Sequence, residues 1–209
     1  MEEITQPYIL FVEGKDEGYF FKYLHMHLDL PGVQIINCEG TGNFQTKIQL
    51  YVQSDGFQIV KALGFIRDAD LNPDAAFNNL KSIIEETSKI RSLPIPIKPT
   101  EIVSDNNRKL GIFIMPDNSG TGMLENLCLE TINKEPVYKC IDDYIDCFSK
   151  EFSAEEKKKF NEPKARVQSY LATRIPVVKS LGDGAQKGYW DFNHDCFKQI
   201  NQFVLNLFS

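Results

Sequence analysis

Cysteine is sparse and unpatterned in this chain of 209 residues. The five cysteines, Cys38, Cys128, Cys140, Cys147 and Cys196, are odd in number, and no two form a CxxC pair. That argues against a disulfide framework and against a zinc site, and leaves buried, reduced thiols as the expectation. Histidine is scarcer still. His25 and His194 have no ligand-spaced partner, and His27 falls on the apolar face of the first helix, where a core position is expected. Neither a serine triad nor a Cys–His pair is indicated. The single tryptophan, Trp190, is expected to pack the C-terminal helix onto the body together with Phe192 and Phe197. No apolar run approaches the roughly 18 residues of a membrane span. The acidic start, Glu2-Glu3-Ile4-Thr5, lacks the basic opening of a signal peptide, so a cytoplasmic location is expected. No GxxxxGK[ST] occurs, which excludes a P-loop. There is no internal repeat, low-complexity tract or clear linker, and a single domain spanning 1–209 is expected.

What is present is an ordinary globular composition, 42% hydrophobic and 25% charged, sufficient for one sizeable core. The net charge of −6 disfavours a polyanion as partner, but the charge is unevenly spread. Between Lys157 and Lys187 eight basic residues face only Glu162 and Asp183, a local charge of +6. Lys157-Lys158-Lys159 reads as a solvated helical face. Lys164, Arg166, Arg174 and Lys187 are candidates for phosphate contact.

The first two-thirds alternates strand-like and helix-like segments. Strands are expected at Tyr8–Glu13, Val33–Cys38, Ile59–Arg67 and Leu110–Met115, with a possible edge strand near Glu101-Ile102-Val103. A helix with Phe20, Tyr23, Leu24, His27 and Leu28 on one face follows the first strand, and Pro31-Gly32 ends it. A short helix is expected over Phe44–Gln53. Asn72-Pro73 reads as an N-cap with proline at the first helical position, before a helix that turns Phe77, Leu80, Ile83, Ile84 and Ile90 inward. Repeated β-α-β units of this spacing imply parallel strands and right-handed crossovers. From Gly122 onward the pattern is helical, with candidates at 123–132, 137–150, 154–160, 163–173 and 194–208.

Three apolar runs stop at carboxylates: Val12 runs into Glu13-Gly14-Lys15-Asp16-Glu17, Ile66 into Arg67-Asp68-Ala69-Asp70, and Met115 into Pro116-Asp117-Asn118, with Glu125 in the next helix. Ligands bind at the carboxyl ends of the strands in open α/β sheets. Carboxylates gathered there repel one another unless a cation lies between them, and hard divalent cations suit all-oxygen ligands. Glu17 follows Glu13 by one helical turn, so both can face one crevice. Asp68 and Asp70, two apart, point to the same side in extended backbone, and Arg67 to the other. Asp16 alternatively complements a helix N-terminus, Asp117 an ordinary turn, and Glu125 a first helical turn. Gly40-Thr41-Gly42 offers backbone N–H groups to a phosphate or makes a plain turn.

Taken together, the acids resemble the Toprim domain of topoisomerases, bacterial primases and OLD nucleases. Its glutamate after the first strand, often in a VEGxxD/E context, reads here Val12-Glu13-Gly14-Lys15-Asp16-Glu17, and its DxD reads Asp68-Ala69-Asp70. The match covers roughly 7–130. The stretches Met115-Pro116-Asp117-Asn118 and Gly122-Met123-Leu124-Glu125 resemble small stand-alone Toprim-like proteins of unknown function. The resemblance implies a three-layer, Rossmann-like α/β fold: a mainly parallel four-stranded sheet with helices on both faces, and a mostly helical extension over 131–209 packed on the core. It implies Mg²⁺ or Mn²⁺ held by Glu13, Asp68 and Asp70, with Glu17 toward a second metal, Glu125 as a further ligand and Lys164 as a late lysine that stabilises the transition state. Metal-dependent cleavage of DNA or RNA is the function implied, with Lys164, Arg166 and Lys187 on the phosphate backbone and a separate ATPase as a conceivable partner. Two alternatives stay open: a non-catalytic Toprim-like module that binds nucleic acid, a nucleotide or a protein, and a phosphatase-like domain with Asp68 as nucleophile.

Overall fold

The computed structural model describes residues 2–30, 32–105 and 107–209. Pro31, expected to end the first helix, lies outside them. Among the described residues five strands form one sheet: β1 (Tyr8–Val12), β2 (Val33–Asn37), β3 (Ala62–Asp68), β4 (Ile102–Ser104) and β5 (Lys109–Met115). Their order is β2-β1-β3-β5-β4, parallel except for the antiparallel edge strand β4. The four parallel strands and the edge strand expected near residue 102 are all present. The third strand starts later than expected. Asp55–Ile59 forms a 3-10 turn instead, and Ile59 is 44% exposed.

Side-chain alternation along the strands builds two cores. Ile9, Phe11, Leu63, Phe65, Leu110, Ile112 and Ile114 face one side, where α2 (Phe44–Val52) and α3 (Pro73–Ser88) cover them. Asn72 caps α3 by accepting from the Ala75 amide at 2.9 Å, with Pro73 behind it in the first turn. Ile90 lies beyond that helix and is half-exposed, which corrects its inward assignment. Leu10, Val12, Ala62, Ile66, Phe113 and Met115 face the other side, under α1 (Lys15–His27), α4 (Leu124–Ile132) and α9 (Lys198–Phe208). The same core continues into α5 (Pro136–Ser149), α7 (Glu162–Ala172) and α8 (Leu181–Gln186). The small helix α6 (Ala154–Lys159) buries nothing and presents Lys157-Lys158-Lys159 to solvent. The layers are thus helix, sheet, helix, a doubly wound arrangement with the C-terminal helices stacked on one face.

Glycine sets the fit of α9. A Cβ on Gly64 of β3 would stand 2.8 Å from Leu10 Cδ1 and 3.0 Å from Leu207 Cδ2, and one on Gly111 of β5 would stand 2.8 Å from Phe203 Cε2. α9 crosses the sheet where these two strands have no side chain to hold it off. Trp190, Phe192 and Phe197 are buried, and Phe192 (edge-on) and Phe197 (tilted) pack against the Phe20 ring of α1, as expected for their packing role.

Three readings need correction. His25, not His27, is the buried histidine. α1 turns Phe20, Phe21, Leu24 and His25 inward, while His27 is exposed beside Asn193. Only Cys38 and Cys128 are buried, and Cys140 and Cys147 are exposed on α5. A Cys–His neighbour pair does exist, with His194 Nδ1 at 3.2 Å from Cys196 Sγ. Its role is structural: the same nitrogen accepts from the Cys196 amide, and burial pushes the Cys196 thiol up to about 12, far from a thiolate nucleophile. Among the described residues no helix is long and apolar enough to cross a membrane.

Candidate metal centre

At the carboxyl ends of β1 and β3 the chain brings several acidic side chains near enough to influence one another. Glu13 follows β1 directly. Glu17 sits in the first turn of α1 and reaches back, Oε2 accepting from the Gly14 amide at 2.5 Å. Asp68 is the last residue of β3, and its parity puts it on the α1 and α4 side of the sheet. Its Oδ1 accepts the Leu124 amide at 3.0 Å, so one carboxylate oxygen caps the start of α4 and the other is left for other work. Glu125 follows in that first helical turn and is 8% exposed. Lys164, in the first turn of α7, places its Nζ 3.9 Å from Glu125 Oε1 while remaining 58% exposed. Asn161 caps α7 through the Lys164 amide and so sets where this lysine starts.

Electrostatics ties these groups together. Burial raises the Asp68 carboxyl well above its usual range, and the charges of Glu17, Glu125 and Glu13 raise it further. Burial also raises Glu17, to about 7, with Glu13 and Glu125 adding to the effect. Glu13 and Glu125 are raised too, burial leading in both, and Lys164 opposes the rise. Glu13 Oε2 is buried with no hydrogen-bond partner. A cluster of desolvated carboxylates, one with an orphaned oxygen, is a donor set that fits a hard divalent cation. Among the described residues no three acidic, histidine or cysteine side chains converge closely enough to enclose an ion as they stand.

Asp70 departs from the extended geometry assumed for it. Its backbone is left-handed, φ 50°, and it pairs with Gly122 through two backbone hydrogen bonds of 2.9 and 2.8 Å. The side chain is exposed but close enough that its charge helps to raise Glu13. Asp117 is a turn residue, accepting from the Ser119 and Gly120 amides. Thr41–Asn43 is a single 3-10 turn leading into α2. Arg166 is engaged inside the protein: every guanidinium nitrogen is paired, with Glu162, Asp142 and Asp146, so it fastens α7 to α5 instead of facing a polyanion. Lys187 is exposed at the C-terminal end of α8.

Two residues escaped the sequence reading. Arg67 points to the far side of β3 from Asp68, yet its charge reaches Glu13 at the end of β1. The Arg67 charge is the main influence holding Glu13 down, and its Nη1 donates to Asn79 Oδ1 at 2.6 Å. The strand order was needed to see this. Asp16 does complement a helix N-terminus, but not that of its own helix: Oδ2 accepts the Leu181 amide at 2.9 Å and Oδ1 the Gly182 amide at 2.8 Å. Helix α8, which has no apolar periodicity over its six residues, was itself not expected.

The model of a family described as protein of unknown function (DUF3226) matches residues 7–209. The chain belongs to this family. The match runs through the helical C-terminal part as well as the sheet, so the acidic cluster and Lys164 both fall within the family's span. No curated protein matches significantly. The fold is similar in outline to the C-terminal region of the Burkholderia pseudomallei OLD protein, at 16% identity and a TM-score of 0.47, covering 98% of this chain and 100% of that one. It is also similar to the C-terminal region of the Xanthomonas campestris pv. campestris OLD protein, at 13% identity and a TM-score of 0.47, covering 96% of this chain and 93% of that one. Likeness at that level carries no chemistry across to this family member.

Proposed function

We propose that the acidic cluster binds Mg²⁺ or Mn²⁺ and cleaves phosphodiester bonds in nucleic acid. The observation that carries this reading is the buried, unpartnered Glu13 oxygen among carboxylates whose proton affinities are all raised. The Val12-Glu13-Gly14 and Asp68-Ala69-Asp70 motifs, which resemble those of Toprim domains, support it. Glu13, the free oxygen of Asp68, Asp70 and Glu17 would hold the ion, with Glu125 at the edge. A bound divalent ion supplies an activated water and charge neutralisation at the leaving oxygen. Lys164, paired loosely with Glu125 and mostly exposed, is suited to meet a non-bridging phosphate oxygen and to stabilise charge that develops there. Its partner Glu125 keeps the ammonium beside the acidic cluster. Arg166 drops out of the nucleic-acid surface, which rests on Lys164 and Lys187, residues that position a backbone without reading bases.

The test is Mg²⁺- or Mn²⁺-dependent cleavage of plasmid and single-stranded substrates by the purified chain. Asp68→Asn keeps an oxygen for the Leu124 amide and removes the charge, so it is expected to stay folded and lose at least about 100-fold in rate. Wild-type rates in that variant would end the assignment. A second reading, a non-catalytic module, is favoured by the structural duty of Asp68 as the cap of α4. It predicts no cleavage with either metal and no metal-induced rise in Tm.

A further inference from the structure

The C-terminal helical layer packs against the acidic loop through α8. Asp16 lies between Glu13 and Glu17, and both its oxygens are spent on the first two amides of α8, at 2.9 and 2.8 Å, 165 and 166 residues away. It is therefore no ligand itself. α8 does not depend on Asp16 for its cap, because Ser180 Oγ already accepts the Asp183 amide at 3.0 Å. The contact is also unusually close. A Cβ on Gly182 would stand 2.3 Å from Tyr19 Cβ and 3.0 Å from the Asp16 carbonyl oxygen, so only glycine lets α8 lie against α1 here. From behind, Gly184 rests on the Trp190 ring, whose Nε1 donates to the Leu181 carbonyl at 2.9 Å. α8 is thus clamped between Trp190 and the first turn of α1. The acidic loop is braced twice, from within by Glu17 on the Gly14 amide and from outside by Asp16 on α8.

We propose that Asp16 is a positioning residue, and that its latch to α8 fixes the first turn of α1, so that Glu13 and Glu17 need only small movements to close on a divalent cation. This rests on the metal-binding reading above. Displacements of about 1 Å in a supporting group are enough to spoil a metal site. The latch also explains why so small a helix is built so tightly against α1: glycine at 182 and 184 has no role in α8 itself, where it weakens the helix.

The experiment measures Mn²⁺ binding to the full chain by the electron paramagnetic resonance signal of free Mn²⁺. Trp190, the single tryptophan, reports in parallel whether α8 is seated. Asp16→Asn loses one acceptor and the charge. Gly182→Ala pushes α8 from α1 and removes no carboxylate, which separates position from charge. Both variants are expected to unfold cooperatively, to shift Trp190 emission to the red, and to bind Mn²⁺ at least about tenfold more weakly than wild type. If Gly182→Ala does not fold, Ser180→Ala loosens the same helix and takes its place. Wild-type affinity in a variant whose Trp190 emission has shifted overturns the latch and leaves the metal reading standing, as does weakening confined to Asp16→Asn. A wild-type chain that binds no Mn²⁺ overturns both.

Discussion

Glu17 gives the acidic cluster a pH signature. Its carboxyl rises from a usual 4.5 to about 7 in the folded protein, with burial as the main cause. The folded state therefore holds a proton that the unfolded state has released, and stability falls as pH rises through that window, by about 3 kcal/mol at most for this group. Glu13, Asp68 and Glu125 push in the same direction. Urea midpoints in EDTA should accordingly drop between about pH 5 and pH 8, the drop should shrink in Glu17→Gln, and Mg²⁺ should oppose it most at the alkaline end. His25 works in the opposite sense. Burial lowers it to about 4, and neither ring nitrogen has a partner in the contact with Phe208. Its contribution is complete above about pH 6.5 and is lost as pH falls, by about 2 kcal/mol at pH 5. His25→Leu should flatten the acid limb by that amount in the same titration, and an unchanged limb would refute the assignment. The identity of this buried histidine was not legible from α1 alone. The faces 20-23-24-27-28 and 20-21-24-25 are both apolar stripes, and the packing of α8 and α9 chooses between them.

Elements were read more reliably than residues. The four parallel strands announce themselves as apolar runs bounded by turn residues, and α3 by its Asn72-Pro73 start, because these signals are local. α8 is the exception, since its short Leu-Gly-Asp-Gly-Ala-Gln sequence is held by Asp16 and Trp190 rather than by periodicity. α9 depends on the glycines beneath it. Gly64→Ala and Gly111→Ala each put a methyl within 2.8 Å of a neighbouring side-chain carbon. Each should cost about 1–3 kcal/mol in chemical denaturation, with the double substitution displacing α9 altogether. Costs below about 0.5 kcal/mol would mean that α9 repacks freely.

At the scale of the whole molecule, the sheet and the C-terminal helices share one hydrophobic core. Leu10, Val12, Phe20, Phe21 and Phe113 bury against residues of α7, α8 and α9. A fragment of residues 1–130 would expose that face of the sheet. It should lack cooperative thermal unfolding by circular dichroism, and a cooperative transition would instead make 7–130 an independent unit. Charge is also decided at this scale. The +6 segment looks like a polyanion surface in one dimension, but Arg166 is neutralised by α5 and Glu162, Arg174 by Glu135, and Lys159 by Glu155. Of the residues proposed for a phosphate backbone, Lys164, loosely paired with Glu125, and the exposed Lys187 remain.

The sequence by itself determined that this is an alternating α/β chain with carboxylates at the ends of its strands, since strand runs, helix caps and turns depend on near neighbours. It also determined that Glu13, Asp68 and Glu125 are candidates, because a charge that closes an apolar run is visible without a fold. Only the tertiary structure decided which of those acids lie close enough to raise one another's proton affinity, that Asp70 is exposed, that the Arg67 charge reaches Glu13, and that Asp16 belongs to α8. Those facts rest on strand order and on hydrogen bonds between residues as far as 166 positions apart, separations over which no local pattern carries information.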